Sequence, residues 1–226
     1  DLQGKLSLYA SDAFARRNNG CSADEMAHRQ RRWLDLYAEA GVPVRNAIIM
    51  AAFGCNFEGD IPSARVIALA RYARDICAER GQPLPQLFLA DTMGWANPDA
   101  VRRLVDEVRN AVPDSRIGLH LHDTRGLGAA NVLAALDAGV DLFDSSVAGL
   151  GGCPFAAHGD RGAAGNICTE DMVFLCHEMG IETGIDLEAL VECARLAERI
   201  IGRKLNGHVM HAGTLAQYRA PKAAAA

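Results

Sequence analysis

The sequence has no long apolar run, no basic cluster and no regular cysteine pattern, and each absence excludes a class of protein. None of its hydrophobic stretches approaches the ~20 residues that a membrane-spanning helix needs, so we expect no membrane partner. Lysine and arginine (23) are outnumbered by aspartate and glutamate (28), which argues against a nucleic-acid partner. Seven cysteines, an odd number at irregular spacing, do not predict a disulfide framework and favour a reducing, cytoplasmic location.

The order of apolar patterns predicts an α/β fold. The 226 residues, half of them hydrophobic, suffice for one sizeable core and are too few for two comfortable domains. Short apolar runs near residues 6, 46, 88, 119 and 142 predict five strands, and helical patterns separate them. This alternation predicts parallel strands, but by itself it does not distinguish a barrel from an open sheet.

Capping residues mark several of the predicted helix starts. Ser22 and Glu25 have the spacing of a capping box, Asn97 precedes Pro98, and Asp186 precedes another helical pattern. The apolar face of the helix after Ser22 is predicted to contain Met26, Trp33, Leu34 and Tyr37.

Two histidines lie at alternate positions of the fourth predicted strand. Apolar residues at 117, 119 and 121 alternate with His120 and His122, so both imidazoles are expected on one face of the strand. Two imidazoles on one rigid face make half of a divalent-metal site. A histidine pair in a strand is more often structural than ligating, so the pattern alone leaves both interpretations open.

Further candidate residues follow other strands and loops. Asp91 and Thr92 end the third predicted strand, where Asp91 has three possible roles: general base, partner of an arginine, or cap of the following loop. Cys153 lies in a glycine-rich loop, where packing in a core is not expected. Asn166 follows Gly165, and an asparagine after a glycine is also common in ordinary turns, so its role as an oxygen ligand is not indicated by the pair alone.

Three segments together resemble the hydroxymethylglutaryl-CoA lyase family, metal-dependent lyases of the DRE-type TIM-barrel superfamily. They are His120-Leu-His-Asp-Thr124, Asp144-Ser-Ser-Val-Ala-Gly-Leu-Gly-Gly-Cys-Pro-Phe155 and Gly165-Asn-Ile-Cys-Thr-Glu-Asp171. The resemblance extends from Leu6 to about Gly202, and the Gly-Leu-Gly-Gly-Cys-Pro loop is its most specific part. Synthases of the same superfamily share the histidine pair and the Gly-Asn pair but lack this cysteine loop.

The resemblance implies a (β/α)8 barrel of which this chain forms roughly the last five βα units and the C-terminal helices. It implies Mg²⁺ or Mn²⁺ held by His120, His122, Asn166 and an aspartate upstream of the chain. It also implies proton transfer by Cys153, a role for Asp91 as base or positioning group, and a hydrogen bond from Thr92 to substrate.

The implied reaction is retro-Claisen cleavage of an acyl-CoA thioester, hydroxymethylglutaryl-CoA foremost, to acetyl-CoA and acetoacetate, as in leucine catabolism. A homodimer is expected, with a lyase domain over residues 1–206 and a weakly structured tail over 207–226.

The sequence is compatible with several alternatives. The segment between the Cys-Pro and Gly-Asn pairs, residues 156–164, looks longer than in typical lyases, so citramalyl-CoA or another hydroxyacyl-CoA is a possible substrate. An aldolase or synthase of the superfamily is the second enzymatic hypothesis. The chain starts with Asp1 at the position of the family's fourth strand, which predicts a fragment that is inactive alone, or a non-catalytic remnant.

Overall fold

Five parallel strands form one sheet in a computed structural model that describes residues 2–156 and 165–219. The strands are β1 (Gly4–Tyr9), β2 (Val44–Met50), β3 (Gln86–Ala90), β4 (Arg116–His120) and β5 (Phe143–Asp144). Each pairs with its neighbour in chain order, and every pair is parallel. A doubly wound sheet would reverse its order at a switch point, whereas consecutive order is that of a (β/α) barrel. The five predicted strands and the fold class are confirmed.

Helices follow the strands along the chain. Within the described ranges they are α1 (Asp12–Asn19), α2 (Ala23–Glu39), α3 (Ser63–Ala78), α4 (Pro98–Ala111), α5 (Gly128–Asp137), α6 (Thr169–Glu178), α7 (Leu187–Ile201), α8 (Val209–Ala212) and α9 (Ala216–Arg219). None of the helices that the structure describes is both long and apolar enough to span a membrane.

The chain divides into two compact units. The first, Asp1–Asp144 with Gly152–Gly165, contains the sheet and α1–α5; the second, Ser145–Gly151 with Asn166–Ala226, contains α6–α9. In the second unit, residues 207–219 include α8 and α9, with Val209 and Met210 buried. The boundary expected at residue 206 stays a prediction.

The core of the first unit is built from strand residues that have no accessible surface. Burial of this apolar area is the main favourable term in folding. The fully buried strand residues are Leu6, Leu8, Ala47, Ile49, Leu87, Leu89, Ala90 and Leu119.

The predicted helix starts are confirmed by their hydrogen bonds. Ser22 Oγ accepts from the Glu25 amide at 3.1 Å, and Glu25 Oε2 accepts from the Ser22 amide at 2.6 Å, which completes the capping box. Asn97 Oδ1 accepts from the amide of residue 100 at 3.0 Å, and Asp186 Oδ1 accepts from that of residue 189 at 3.1 Å.

The predicted buried face of α2 is wrong in part. Trp33 is 50% exposed, and its ring lies beside that of Tyr37, with the centroids 6.0 Å apart. Gln30 takes a buried position of that helix because its Oε1 accepts from the backbone amide of Ser7 at 2.9 Å. The buried residues of α2 are Ala23, Ala27, Gln30 and Leu34, so of the predicted face only Leu34 is fully buried.

Candidate metal and active site

His120 and His122 converge at the C-terminal end of β4. The strand ends at His120, and His122 lies two residues beyond it, yet the two Nε2 atoms are 3.1 Å apart. His122 is buried, with 4% of its surface exposed, and the two rings are tilted with centroids 5.0 Å apart. The shared direction expected from strand alternation is present in the structure.

A carboxylate on the neighbouring strand orients one of these rings. Asp144, paired with His120 in the register of β4 and β5, has its Oδ2 3.2 Å from His120 Nδ1. This hydrogen bond lowers the pKa of the Asp144 carboxyl, and it outweighs burial, which raises it. Because a carboxylate only accepts, Nδ1 carries the proton, and in the neutral imidazole Nε2 of His120 has the lone pair that a cation needs.

The separation of the two imidazole nitrogens is that of adjacent ligands around one cation. With metal–ligand bonds of about 2.1 Å, octahedral neighbours are about 3.0 Å apart, and tetrahedral neighbours are about 3.4 Å apart. The observed 3.1 Å lies between the two and closer to the octahedral value. This separation, which is also a hydrogen-bond distance, is compatible with two ligands of one divalent cation.

Two ligands do not complete a metal site. Within residues 2–156 and 165–219, no group of three His, Cys, Asp or Glu side chains has the arrangement of a metal centre. Further ligands must be of another type, such as an amide oxygen, or lie outside the described residues.

Asp91 is buried at the C-terminal end of β3, next to the histidine strand. Its amide donates to the carbonyl oxygen of His120 at 2.8 Å. Its Oδ1 accepts from the amides of Trp95 at 2.6 Å and Ala96 at 3.1 Å, so the loop-capping role is real. Its Oδ2 is buried and has no hydrogen-bond partner within the described ranges. Burial raises the pKa of Asp91 to about 6, and the two amides and the Arg125 charge oppose that rise.

Thr92 connects the ends of two strands. Its hydroxyl oxygen accepts from the amide of Ala51 at 2.8 Å, and Ala51 has a φ of 56° where β2 ends. Thr92 is also within 3.9 Å of Met50 Sδ and is only 7% exposed. The structure thus gives this residue a role in holding the strand ends, and its predicted contact with substrate stays a prediction.

Cys153 is half-buried in a turn of the first unit. The carbonyl oxygen of Cys153 accepts from the amide of Ala156 at 3.0 Å. Burial raises the pKa of the Cys153 thiol, while hydrogen bonds from the amides of Phe155 and Ala156 to its sulfur lower it. With the net shift upward, this thiol is protonated at neutral pH, which is the state that an acid requires.

Asn166 belongs to the second unit, one residue after Gly165. Its Nδ2 donates to the carbonyl oxygen of Leu150 at 2.8 Å, which fixes the amide orientation. Its Oδ1 is buried and has no hydrogen-bond partner in the part of the chain that the structure describes. An oriented, unpaired oxygen is suited to a hard cation, and the ligand assignment stays a prediction.

Residues 157–164, which contain His158, Asp160 and Arg161, are outside the described residues. The greater length expected for this segment stays a prediction.

A family model described as HMGL-like matches residues 5–197. The chain belongs to the HMGL-like family. Its curated relatives include a cytoplasmic 3-hydroxy-3-methylglutaryl-CoA lyase of Danio rerio, 36% identical over 90% of this chain and 57% of the relative. A 3-hydroxy-3-isohexenylglutaryl-CoA/hydroxy-methylglutaryl-CoA lyase of Pseudomonas aeruginosa is 38% identical over 88% of this chain and 62% of the relative. Other HMGL-like relatives, such as that of Bos taurus, are named mitochondrial.

Solved structures give the same family. An HMG-CoA lyase of Acinetobacter baumannii in complex with coenzyme A and 3-methylmalate superimposes with a TM-score of 0.83 at 36% identity. The match covers 94% of this chain and 66% of that one. The chain thus spans about three fifths of the curated HMGL-like relatives and two thirds of the solved lyase.

Proposed function

We propose that the protein containing this chain is a divalent-cation-dependent carbon–carbon lyase that cleaves hydroxymethylglutaryl-CoA to acetyl-CoA and acetoacetate. The observation that carries the proposal is the convergence of His120 and His122, 3.1 Å apart at Nε2, with Asp144 behind one of them. The names of the HMGL-like relatives support the reaction type and a CoA thioester substrate. The homodimer and the cytoplasmic location stay predictions.

His120, His122 and Asn166 would hold Mg²⁺ or Mn²⁺. Two neutral imidazoles and an amide provide no negative charge, and Mg²⁺ prefers anionic oxygen ligands. The family resemblance supplies that charge through an aspartate that is not among the described residues. A bound cation would lower the pKa of the substrate hydroxyl and orient it beside an acyl oxygen.

The residues of this chain account for both proton transfers. Asp91 Oδ2, or a group that Asp91 positions, takes the proton of the β-hydroxyl, and the C–C bond electrons pass to the thioester as an enolate. The Cys153 thiol gives its proton to the α carbon of that enolate, which forms acetyl-CoA. A buried carboxylate whose pKa is raised to about 6 is a stronger base than an exposed one and is still mostly ionised at pH 7.

The test is an assay of the intact, chelator-treated protein with hydroxymethylglutaryl-CoA, citramalyl-CoA and 3-hydroxy-3-isohexenylglutaryl-CoA, each with and without Mg²⁺ or Mn²⁺. We expect acetyl-CoA only when the cation is present. His120→Ala should weaken cation binding, whereas His28→Ala, which removes an exposed imidazole on α2, should not. Full activity after exhaustive chelation would refute the proposal, and preference for another thioester would correct its substrate.

A further inference from the structure

One asparagine side chain connects three loops at the C-terminal end of the sheet. Asn56 lies in the loop after β2, and its Oδ1 accepts from the indole Nε1 of Trp95, in the loop after β3, at 2.7 Å. Its Nδ2 donates to the carbonyl oxygens of Phe155 at 2.9 Å and Ala156 at 3.3 Å, in the cysteine loop. A single primary amide thus links the Asp91 loop to the Cys153 loop.

The orientation of this amide is determined by its partners. An indole nitrogen only donates and carbonyl oxygens only accept, so Oδ1 must face Trp95 and Nδ2 must face the cysteine loop. Exchanging the two ends of the Asn56 amide would break all three hydrogen bonds.

Trp95 is itself held from three sides. Its backbone amide donates to Asp91 Oδ1 at 2.6 Å, and the Arg125 guanidinium lies over its ring at 5.9 Å. The ring also lies against the backbone of Gly54, where an added Cβ would come within 2.5 Å of it. A residue other than glycine at position 54 would displace the indole, so the position of the Asn56 partner is fixed by the surrounding chain.

The contact with the cysteine loop acts on one peptide group. The Phe155 carbonyl and the Ala156 N–H are the two ends of a single planar amide. Asn56 donates to the oxygen end, and the N–H end donates to the carbonyl oxygen of Cys153 at 3.0 Å, which closes the turn that carries the thiol. Donation to the oxygen fixes this plane and polarises its N–H, because hydrogen bonds in a chain strengthen one another.

We propose that Asn56 is a positioning residue that, together with Trp95, holds the peptide group of Phe155 and Ala156 in place and so fixes the turn that carries the Cys153 thiol. The catalytic part of this inference depends on the proposed function, in which Cys153 is the acid. Asn56 touches neither substrate nor cation in this proposal, and it acts only through the turn that carries the thiol. Loss of the contact releases the turn, exposes the sulfur and slows proton transfer.

The first readout is chemical and independent of turnover. Iodoacetamide labelling of the intact protein, followed by mass spectrometry of each cysteine peptide, reports the accessibility of Cys153. We expect Asn56→Leu to raise its labelling rate about 5-fold, as expected for loss of a hydrogen-bonded contact. Cys193, which is exposed in the second unit, should keep its rate and serves as the internal reference.

The second readout is a split between kcat and KM. Asn56→Leu should lower kcat about 10-fold, with KM and the Kd for Mn²⁺ unchanged, because only the proton donor is displaced. Asn56→Asp keeps an oxygen that can accept from Trp95 but removes the N–H groups that donate to the cysteine loop. Its kcat, KM and labelling rate should therefore change as those of Asn56→Leu do. Asn46→Leu is the matched control: Asn46 is half-buried at the start of β2, and its Oδ1 has no partner in the described ranges.

A double-mutant cycle tests whether the two residues act as a unit. Trp95→Phe keeps a ring against Gly54 and removes the N–H, so its kcat should fall less than that of Asn56→Leu. The double variant should be no slower than Asn56→Leu alone, because the second change removes nothing that still functions.

The outcomes separate this inference from the proposed function. Unchanged labelling and unchanged kcat in both Asn56→Leu and Asn56→Asp would overturn the positioning role, as would additive losses in the cycle. If Asn56→Leu folds poorly, Asn56→Asp and Trp95→Phe decide the question. Faster labelling in these variants, combined with full activity of Cys153→Ala, would support the Asn56 contact and refute the acid role of Cys153.

Discussion

Replacing Asp91 by asparagine should stabilise the protein at neutral pH while it removes the proposed base. The carboxyl is 1% exposed, and burial raises its pKa from 3.8 to about 6. Each unit of pKa shift corresponds to about 1.4 kcal/mol, so the ionised form costs the folded state of the order of 3 kcal/mol at pH 7. The asparagine side chain would keep an oxygen for the two loop amides and would carry no charge into the buried site.

The pH dependence identifies the origin of this gain. Because the folded pKa is above the unfolded one, the folded state binds more protons between pH 4 and pH 6, and stability falls as the pH rises through this window. Asp91→Asn has no carboxyl at this position and therefore lacks this pH-dependent contribution to the free energy of unfolding. The difference in free energy of unfolding between the variant and the wild type should therefore grow by about 2 kcal/mol between pH 4.5 and pH 7.

Urea unfolding of both proteins in EDTA, at pH values from 4.5 to 8, measures this difference without a bound cation. Asp99→Asn is the control, since the Asp99 side chain is 92% exposed in the first turn of α4. Asp99→Asn should not be more stable than the wild type, because this change removes no buried charge. If the difference in free energy of unfolding between Asp91→Asn and the wild type is constant with pH, or decreases as the pH rises, the reasoning is refuted.

Three other changes separate the proposed roles. Asp144→Asn should weaken Mn²⁺ binding, measured by calorimetry, about 10- to 100-fold because His120 is no longer oriented. Unchanged affinity would show that Asp144 has no role in metal binding. Cys153→Ala should lower kcat about 100- to 10,000-fold with metal affinity kept, whereas buried Cys77→Ala should leave the rate unchanged; near-native turnover would make the cysteine loop structural. Asn166→Ala should weaken Mn²⁺ binding, and unchanged binding in the same titration would remove Asn166 from the ligand set.

Local patterns predicted those features that depend on neighbouring residues in the chain. The five strands, the capping box at Ser22 and the Asn97 cap are each encoded within a few residues, and each is present. Strand alternation likewise predicted the common direction of His120 and His122, although β4 ends at the first of them.

Features that depend on distant residues were missed. Helix α1 has only Phe14 and Ala15 buried, so its hydrophobic pattern is too weak to predict a helix. Its N-cap, Ser11, also depends on a distant residue, because Ser11 Oγ lies 3.1 Å from the sulfur of Cys55. Trp33 was placed on the buried face of α2 from its hydrophobicity, whereas the buried face includes Gln30, whose tertiary hydrogen bond to Ser7 a hydrophobic pattern does not show.

The candidate site shows the same difference between local patterns and contacts between distant residues. Sequence identifies residue types with reactive or ligating groups, but their orienting partners come from other strands: Asp144 is 24 residues from His120, and Asn56 is 99 residues from Phe155. One signal was available for Asp144, because a histidine ligand usually donates its second nitrogen to a carboxylate and this aspartate ends the adjacent strand. Nothing comparable marked Asn56, whose partners are an indole and two backbone carbonyls.

The end of the sheet that carries the candidate site also carries local costs to stability. Ala51 has a φ of 56° at the end of β2, a conformation that costs a non-glycine residue about 1 kcal/mol or more. Asp91 Oδ2 is buried without a partner in the described ranges, and the backbone amide of Asp91 donates to the carbonyl oxygen of His120 at the end of β4. Both features are tolerated because the surrounding contacts determine them: Thr92 Oγ1 accepts from the Ala51 amide, and two loop amides hold Asp91 Oδ1. The loop cap uses only Oδ1 of Asp91, so Oδ2, which has no partner in the described ranges, is the atom that the proposed chemistry would use, and Asp91→Asn tests that role.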